Sequence, residues 1–545
     1  MRQEIPAEYS RLIGGRCELV TNGESGCVII YDRLKETART YAEQIQQAIA
    51  AATGYTPVVK ADYLEPTGFN EILVGDTNRL FSQLAFCDFM GYGMFYQPNR
   101  NSIALTGQLE FAVKKFISMI EQNGSEGSLA FDSELFEGYT KLDGYGRIPA
   151  YREEKCDFIA PSDLQSYFVI YEHTSPEEYR AYLKRLKEQE CFTEYASREI
   201  NGNLFATYTD GETNLTVNYT AYDGKVRIMA DSAKVSSLYN RESDCGEVVT
   251  TPQLTQINGR CSFLFRLSDG RFLMFDGGVA TERNSEWLLK QLQEQNVLPG
   301  KPVIAAWMFS HMHSDHVGGF IGFAEAYGDQ VELQSVVVNL PSFDIYSIDG
   351  ASVPAKPTQL MLYGIPGIKA TLEKYFAHTK LIIPHNGQTM WFGDAQVDVV
   401  YAQEDLAPMP MNATNNSTTV YLISLGGQRV ALIGDVEYDA ADIMCAIYGG
   451  SGFLKCDFVQ AAHHGCRSGS HELYKEIGAW VSFWTETYTY MRTCHPIRCR
   501  WQNPRNCFDV NKMKENLMME DRSAMVVPLP YKLGSLPEYL HPLTK

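Results

Sequence analysis

Long apolar runs and positive charge are both scarce in this sequence. No stretch of the 545 residues approaches the ~18 uninterrupted apolar positions of a membrane span, and the first residues are polar and acidic, unlike a secretion signal. We therefore expect a cytoplasmic protein with no membrane association. Lysine and arginine number 47 against 66 aspartate and glutamate residues, a formal net charge of -19. Such a surface repels polyanions, so it favours small or neutral ligands and makes nucleic acid a less favoured alternative.

Paired cysteines are absent as well. The 13 cysteines are scattered without a CxxC pair, and several, such as Cys27 and Cys87, stand among apolar residues, which predicts buried and reduced thiols. Cys494 and Cys499 flank His495, but no second cysteine pair completes a structural zinc site. Hydrophobic residues make up 45% and charged residues 21% of the chain, as is typical of a globular protein. The oligomeric state stays open.

The length predicts several domains, and the pattern along the chain indicates three. Residues 1–145 alternate strand-like and helix-like segments, which predicts a small α/β accessory domain. The run at 71–79 resembles the accessory α/β domain at the N-terminus of several bacterial glycan-processing enzymes, and this resemblance implies a scaffold or lid without a catalytic residue. Residues 246–545 show paired strands and then strand-helix alternation, which we take as the third domain.

Residues 150–240 are predicted to form a small α+β module between these two domains. Ser175, Pro176 and Glu178 predict a helix start with a capping box, and alternating strands separated by Asp-Gly turns follow. The tyrosines of this module are expected to pack as one face of a sheet, with an exposed aromatic face that holds a sugar as the alternative. Because neither of the first two domains contains a cluster of titratable residues, no catalytic group is expected there.

An apolar strand-like run over 303–309 leads into the pattern HxHxDH at 311–316. Histidine accounts for only 11 of the 545 residues, so this pattern is far more specific than a short motif of common residues. On an extended loop, side chains at i and i+2 project to the same side, so His311 and His313 are expected to bind one metal ion. Asp315 and His316 then reach a second ion nearby. We expect two divalent ions, with zinc first and manganese or iron as alternatives, because imidazole and carboxylate suit all three and the motif lacks thiolates that would decide between them.

These residues resemble the metal-binding motif of the metallo-β-lactamase superfamily, and the likeness covers about 246–500. It implies a C-terminal αββα sandwich preceded by two small α/β modules, and thus an α/β and α+β multidomain protein. Asp276, at the end of an apolar run, matches the aspartate that supports the metal loop without binding metal itself. Asp435 matches the carboxylate that bridges both metals. Of the adjacent His463 and His464, one is expected to bind metal, with His464 preferred.

The series NNS at 415–417, GD at 434–435 and HHG at 463–465 is most similar to one subgroup of this superfamily. That subgroup contains the hydrolase domain of DNA-uptake competence proteins and the phosphorylcholine esterases of bacterial surfaces, and it implies phosphodiester hydrolysis. The histidine of the superfamily's third motif has no counterpart, because Asn415 or Asn416 occupies the expected interval, where either is expected to support the ligands. His378 and His385 are alternatives for the missing ligand, although both are expected at the surface. One metal is therefore expected to be held weakly or to exchange readily.

The C-terminal part of the chain contains candidates for substrate contact. His495 precedes a proline, as in the competence-type subgroup, which makes it a candidate for substrate contact or proton transfer and, with Asp315, a catalytic residue. Arg498 and Arg500 belong to a basic and aromatic cluster and are expected to bind phosphate oxygens, with an ion-pair network as the alternative.

Three hypotheses of function follow from these motifs. The leading one is a metal-dependent hydrolase that uses an activated water to attack a small or glycan-linked phosphodiester, or a nuclease. The second is a lactone, thioester or amide hydrolase at the same centre, which the arginine cluster disfavours. The third is a non-catalytic scaffold that keeps a structural metal while residues 1–240 bind a glycan. The HxHxDH pattern disfavours this third hypothesis, because structural metal sites usually complete their coordination with cysteine.

Overall fold

The computed structural model describes residues 16–63, 68–85, 91–136, 139–141, 148–152, 158–163, 166–257, 260–341, 362–405, 413–466, 469–493, 507–520 and 523–541. The chain forms two compact units, Met1–Gly146 and Arg147–Lys545. The predicted division of the second unit into a module and a hydrolase domain stays a prediction. Within the described ranges, no helix is long and apolar enough to cross a membrane.

The first unit is an α/β domain, in agreement with its strand-helix alternation. Its elements in chain order are β1 (Arg16–Val20), β2 (Val28–Tyr31), α1 (Glu36–Thr53), β3 (Val58–Ala61), β4 (Glu71–Val74), α2 (Leu80–Leu84), β5 (Gly91–Gln97), β6 (Ser102–Gly107), α3 (Leu109–Asn123), β7 (Gly124–Ser125), β8 (Ser128–Asp132) and β9 (Tyr139–Lys141). The main sheet has the order β3-β2-β4-β6-β5-β9, and its first four strands are parallel. Helix α1 ends where Gly54 takes a left-handed conformation with φ 76°, which a glycine adopts without steric cost.

The second unit begins with an antiparallel sheet and one helix. These elements are β10 (Phe158–Asp163), β11 (Ser166–Tyr171), α4 (Pro176–Glu188), β12 (Thr193–Ile200), β13 (Asn203–Thr209), β14 (Thr213–Thr220) and β15 (Lys225–Ser232), with the sheet order β10-β11-β15-β14-β13-β12. Helix α4 starts with the predicted capping box, in which Ser175 and Glu178 satisfy each other's backbone N–H groups. The predicted packing of the tyrosines is confirmed, since the sheet and the helix bury Tyr167, Tyr179, Tyr182, Tyr208 and Tyr219.

The rest of the second unit contains two further sheets with helices on their outer faces. The first part consists of β16 (Gln253–Ile257), β17 (Phe263–Arg266), β18 (Phe272–Phe275), α5 (Glu282–Gln295), β19 (Val303–Met308), α6 (Gly318–Tyr327), β20 (Glu332–Leu333), β21 (Ser335–Val337), α7 (Ile365–Tyr375) and β22 (Lys380–Ile382). The second part consists of β23 (Thr389–Phe392), β24 (Ala395–Tyr401), α8 (Ala413–Asn416), β25 (Val420–Leu425), β26 (Gln428–Leu432), α9 (Tyr438–Tyr448), β27 (Phe458–Gln460), α10 (His471–Ile477), β28 (Val481–Phe483), α11 (Tyr488–Thr493), β29 (Glu515–Leu517) and β30 (Ala524–Pro528). The sheet orders are β22-β21-β19-β18-β17-β16-β30, with β20 beside β19, and β23-β24-β25-β26-β27-β28-β29.

The two sheets pack face to face, so the layers follow the order helix, sheet, sheet, helix. Phe275 of β18 meets Tyr421 of β25 edge to face at 6.0 Å between ring centroids, inside the apolar core between the sheets. Helices α5, α6 and α7 cover the outer face of the first sheet around Trp307. Helices α9 and α10 cover the outer face of the second sheet around Ile433. Each large side chain buried in these cores contributes about 1.5–3 kcal/mol of transfer free energy, and the predicted αββα sandwich is confirmed.

The antiparallel sheet of residues 158–232 packs against this sandwich through a polar face. Asp231 at the end of β15 accepts a hydrogen bond from His385 at 2.6 Å, and Glu404 holds the other ring nitrogen of His385 at 2.8 Å. Burial alone would lower the pKa of His385, but the two carboxylates outweigh it and raise the pKa to about 10. The prediction that His385 lies at the surface is therefore wrong, because only 1% of the residue is exposed. His378 is exposed, as expected.

Candidate metal centre

The loop at 310–317 leaves the end of β19 and is tied to the neighbouring strand by Asp276. Asp276 follows β18 and is fully buried. Its carboxylate accepts hydrogen bonds from the backbone N–H of Ser310 at 2.8 Å, from the hydroxyl of Ser310 at 2.7 Å and from Nδ1 of His316 at 2.7 Å. The parallel pairing of β18 with β19 brings these strand ends to the same edge of the sheet. Asp276 therefore contacts both ends of the histidine-rich segment, and its support of a metal ligand stays a prediction.

Two glycines allow this loop to approach the preceding turn. Gly319 donates a backbone hydrogen bond to Gly278 at 2.8 Å, and Gly277 donates one to His316 at 2.6 Å. A Cβ atom on Gly319 would collide with the carbonyl oxygen of Gly277. Only glycine fits at this position, which explains Gly319 three residues after the motif.

The structure brings the predicted ligands together in two groups that face Asp435. His311, His313 and Asp435 form one group, and Asp315, His316 and His464 form the other; within each group the ligand atoms lie within 4.8 Å of one another. Asp435 follows β26 and stands between the groups. Its distances are 3.7 Å from Oδ2 to Nε2 of His311 and 3.2 Å from Oδ1 to Nε2 of His316. One carboxylate thus presents an oxygen to each group, as a bridging ligand would.

Both histidines of the HHG segment reach Asp435. Nε2 of His463 lies 3.7 Å and Nε2 of His464 lies 3.8 Å from Oδ2 of Asp435, and Nε2 of His464 also lies 3.2 Å from Oδ2 of Asp315. Backbone strain accompanies this arrangement, because φ is 51° at His463, 57° at His464 and 50° at Asp276. Such left-handed conformations cost energy in residues other than glycine and persist where the surroundings enforce them. The sequence predicts that one histidine of this pair binds metal. In the structure both histidines lie close to the same carboxylate oxygen, so both are candidate ligands.

Hydrogen bonds on one ring nitrogen of each key histidine direct the other nitrogen inward. Nδ1 of His311 contacts the hydroxyl of Ser310 at 3.0 Å, Nδ1 of His316 contacts Asp276, and Nδ1 of His464 contacts the hydroxyl of Thr485 at 2.8 Å. Partners of this kind set the tautomer and the ring orientation of metal-binding histidines. The three Nε2 atoms consequently face the interior of the site.

Burial and neighbouring charges prepare these side chains for a cation. Burial lowers the pKa of His311 and of His313, which keeps both rings in the neutral form that binds metal. Burial alone would also lower the pKa of His316, but the carboxylates of Asp435 and Asp276 outweigh it and raise that pKa well above its usual value. The imidazoles around Asp435, His316 first, overcome its burial and hold the pKa of this carboxyl well below its usual range. The site therefore attracts positive charge strongly.

The residues fit a metal because several buried ligand-type atoms make no hydrogen bond, although Nε2 of His316 and Nε2 of His464 each lie 3.2 Å from a carboxylate oxygen. Among the described residues, Nε2 of His316, Nε2 of His464 and Oδ1 of Asp435 are buried without a hydrogen bond. Unsatisfied polar atoms in a protein interior cost free energy and require an explanation. Three of them within one pocket of imidazole and carboxylate ligands match the donor set of a zinc-type site.

The remaining predicted residues lie elsewhere or outside the described ranges. Asn415 donates to Glu437 at 3.1 Å and Asn416 donates to Asp439 at 3.2 Å, so both brace the segment between Asp435 and helix α9. Their predicted support of the ligands stays a prediction. The candidates for substrate contact, namely His495, Arg498 and Arg500, lie outside the described residues, as do Cys494 and Cys499.

Sequence reasoning missed several residues around the centre. The cysteines of the described ranges form no disulfide bond, and Cys27 is buried as predicted. Cys261 is also buried and places its sulfur within 4.8 Å of ligand atoms of Asp276 and His316. Arg260, next to Cys261, forms an ion pair with Glu486, which directly follows Thr485. The left-handed backbone of Arg260, with φ 78°, is the kind of feature that no sequence pattern reveals.

Residues 258–472 match the family model of the metallo-beta-lactamase superfamily. Together with the αββα layers and the HxHxDH loop, this match shows that the second unit carries a metallo-β-lactamase superfamily domain. Proteins of this superfamily are mostly metal-dependent hydrolases, and the candidate ligand groups described above lie within that domain. No curated protein sequence matches the chain.

Several solved structures are similar to part of the chain. CmlA, a diiron β-hydroxylase from Streptomyces venezuelae, is 12% identical with a TM-score of 0.30, over 52% of this chain and 55% of its own, so the match spans about half of that protein. YhfI from Bacillus subtilis, a metallo-β-lactamase fold protein, is 15% identical with a TM-score of 0.30, over 50% of this chain and 98% of its own. The short form of human tRNase Z is 13% identical with a TM-score of 0.26, over 51% of this chain and 99% of its own.

Proposed function

We propose that this protein is a dinuclear metal-dependent hydrolase that acts on a small or glycan-linked phosphodiester. The observation that carries the proposal is the position of Asp435 between two groups of ligand-type side chains. A single structural metal needs neither a second ligand group nor a shared carboxylate. Zinc is the expected ion, with manganese or iron as alternatives, because the ligands are imidazole and carboxylate without thiolate.

We assign each metal its own set of ligands. His311 and His313 would hold the first ion, and His463 would complete that set in place of the absent third-motif histidine. Asp315, His316 and His464 would hold the second ion, and Asp435 would give one oxygen to each. The assignment of His463 rests on its 3.7 Å distance to the same Oδ2 atom of Asp435 that faces His311. Its side chain is 25% exposed, so this first ion is the one we expect to exchange more readily.

Two divalent ions in such a site supply a water of lowered pKa and polarise the substrate oxygen. Asp315 is the most exposed carboxylate beside the ligands, with 30% of its side chain accessible against 2% for Asp435. Burial alone would raise the pKa of Asp315, but the His464 imidazole, followed by His316, lowers it, so the carboxylate is ionised at neutral pH. Asp315 can therefore bind a cation and also accept a proton from an incoming water. His495 remains our candidate for protonating the leaving group.

Arg260 supports a phosphodiester as the substrate. It directly precedes Cys261, which lies beside Asp276 and His316, and its partner Glu486 directly follows Thr485, which orients His464. The Arg260 side chain is 37% exposed, so its guanidinium can turn toward a bound anion. A guanidinium presents paired N–H groups that match phosphate oxygens. With a net charge of -19 over the whole chain, a small phosphodiester is favoured over long nucleic acid.

The test combines metal analysis with a panel of chromogenic substrates. Protein resupplied with zinc or manganese should hold close to two ions and hydrolyse bis-(p-nitrophenyl) phosphate faster than a lactone or a thioester. An Arg260→Gln variant should lose about tenfold in kcat/KM on the phosphodiester and keep its rate on the uncharged lactone. Arg283→Gln, an exposed arginine on helix α5, serves as the control. A faster reaction with the lactone or the thioester would reject the phosphodiester and favour the second hypothesis of function.

A further inference from the structure

A cavity of about 250 Å³ lies between the antiparallel sheet of residues 158–232 and the loop at 386–389 of the hydrolase sandwich. Its floor is the polar face of the sheet, where Thr207, Thr216 and Asn218 line it. The loop seals one side, because Gly387 packs so closely on the ring of Phe205 that a Cβ atom there would collide with it. The volume lies below the ~300–1,000 Å³ of pockets for drug-sized ligands, so the cavity suits one small molecule.

The cavity offers hydrogen-bonding groups that the protein itself does not fully use. The hydroxyl of Thr207 accepts from Tyr239 at 3.1 Å and from Gln388 at 3.2 Å, and the hydroxyl of Thr216 accepts from Gln388 at 3.2 Å. A hydroxyl that accepts in this way keeps its own hydrogen to donate. Oδ1 of Asn218 is buried and accepts no hydrogen bond from the described residues, and the whole residue is 0% exposed. A ligand with hydroxyl groups would satisfy this oxygen and both threonines.

Positive charge is concentrated at the mouth of this cavity, against the trend of an acidic chain. Two arginines, Arg198 and Arg241, line the cavity, and Arg198 pairs with the carboxylate of Asp398 at 3.1 Å. Arg241 has no carboxylate within 4.0 Å in the described part of the chain, and its guanidinium stacks on Tyr195 at 5.1 Å. The mouth therefore carries more guanidinium than carboxylate, an arrangement that attracts an anionic group.

We propose that this cavity binds a monosaccharide that carries one anionic group. The sugar hydroxyls would pair with the floor of threonine hydroxyls and the Asn218 amide. The carboxylate or phosphate would lie at Arg241, whose paired N–H groups match either anion. This site is independent of the metal centre and of the substrate proposed for it.

Calorimetric titration of the full-length protein measures this binding directly. The probes are D-glucuronate and D-glucose 6-phosphate, which separate a carboxylate from a phosphate, and neutral D-glucose. At least one anionic sugar should bind about tenfold more tightly than glucose, because only it pairs with a guanidinium. Absence of binding by both anionic sugars at about 10 mM, or equal binding of glucose, would overturn the proposal.

Two variants place the binding in the cavity. Arg241→Gln should weaken the binding of the anionic sugar by about tenfold and leave the binding of glucose unchanged. Ser197→Phe puts an aromatic ring at the mouth of the cavity without changing any charge. It should therefore weaken the binding of every sugar by about the same factor. Arg283→Gln is the matched control, because Arg283 is also exposed and stacks on an aromatic ring, that of Trp287 at 4.7 Å. Binding that survives both cavity variants would place the ligand elsewhere and refute the proposed site.

Discussion

Replacing Asp276 with asparagine tests whether Asp276 sets the tautomer of His316 that binds metal. The Asp276 carboxylate accepts a hydrogen bond from Nδ1 of His316 at 2.7 Å, so the ring would keep its hydrogen on Nδ1 and offer Nε2, which faces Asp435, to a metal ion. An asparagine amide in that position would present N–H groups to the ring. His316 would then change its tautomer and carry the hydrogen on Nε2, the atom assigned to the metal. We therefore expect Asp276→Asn to weaken the second metal subsite without removing any proposed ligand.

The size of the effect follows from the contacts of Asp276. The change disrupts one charge-assisted hydrogen bond to His316, which is worth about 1.5–3 kcal/mol. Since about 1.4 kcal/mol corresponds to a tenfold change, metal affinity should fall by roughly 10-fold to 100-fold, the range seen when supporting residues of metal ligands are changed. The His311 subsite should change less, because the contact of His311 with the Ser310 hydroxyl does not involve Asp276 directly.

The assay is competition for zinc against a fluorescent chelator, with metal content measured on the same samples. The variant should release one ion at a chelator concentration that the unmodified protein tolerates, while the second ion stays bound. Asp398→Asn is the matched control, because Asp398 is equally buried and accepts hydrogen bonds from Arg198 and Arg429 far from the ligands. Unchanged affinity in Asp276→Asn, or an equal loss in Asp398→Asn, would refute the reasoning.

Three further predictions use the same structure. His463→Ala should reduce metal content to close to one ion per chain, because it removes a proposed ligand of the first ion, whereas the exposed His378→Ala should not; elemental analysis distinguishes them. Removing metal with a chelator should abolish turnover and lower the midpoint of thermal unfolding, since bound ligands stabilise the folded state. Because the folded-state pKa of His385 is raised from 6.5 to about 10, its contribution to stability should be complete below about pH 6.5 and be lost as the pH rises through about 10. Asp231→Asn should reduce this loss between pH 7 and 10 in thermal unfolding, and an unchanged pH dependence would contradict the assignment.

The metal loop could be predicted from the sequence because its ligands are close together along the chain. The HxHxDH pattern follows a run of apolar residues, and the strand β19 that this run forms ends three residues before His311. Local periodicity is enough to place such a loop at the end of a strand. Asp276 and Asp435 could also be predicted, since each follows an apolar strand and therefore lies at a strand end.

The parts of the site that escaped prediction depend on long-range packing. Thr485 lies 21 residues after His464, and its hydroxyl contacts the ring of that histidine only because β27 and β28 are adjacent in the sheet. The position of His463 depends on a left-handed backbone at two successive histidines, which residue type does not indicate. Cys261 resembles the other buried cysteines in sequence, although it lies beside Asp276 and His316.

The polar interface between the antiparallel sheet and the sandwich also depends on long-range packing. Alternation along β14 and β15 predicts one apolar face and one polar face, and a polar face is ordinarily assigned to solvent. Here that face is buried, and Asp231 pairs with His385, which lies 154 residues further along the chain. His385 also contacts Glu404, whose other oxygen accepts from Asn339 at 2.9 Å. No local pattern links residues so far apart.

This interface connects the antiparallel sheet to the metal loop through a series of hydrogen bonds. Asn339 accepts a hydrogen bond from the hydroxyl of Thr419 at 3.3 Å, and the backbone N–H of Thr419 donates to Ser310, the residue before the first proposed ligand, at 2.8 Å. Removing residues 150–240 would leave His385 beside Glu404 without Asp231, and breaking a buried ion pair in this way costs about 3–5 kcal/mol. The loss would first affect Glu404, which holds Asn339, and through Asn339 it would affect Thr419. Although residues 1–240 contribute none of the proposed ligands, we therefore expect removal of the sheet at 158–232 to disturb the loop that carries them.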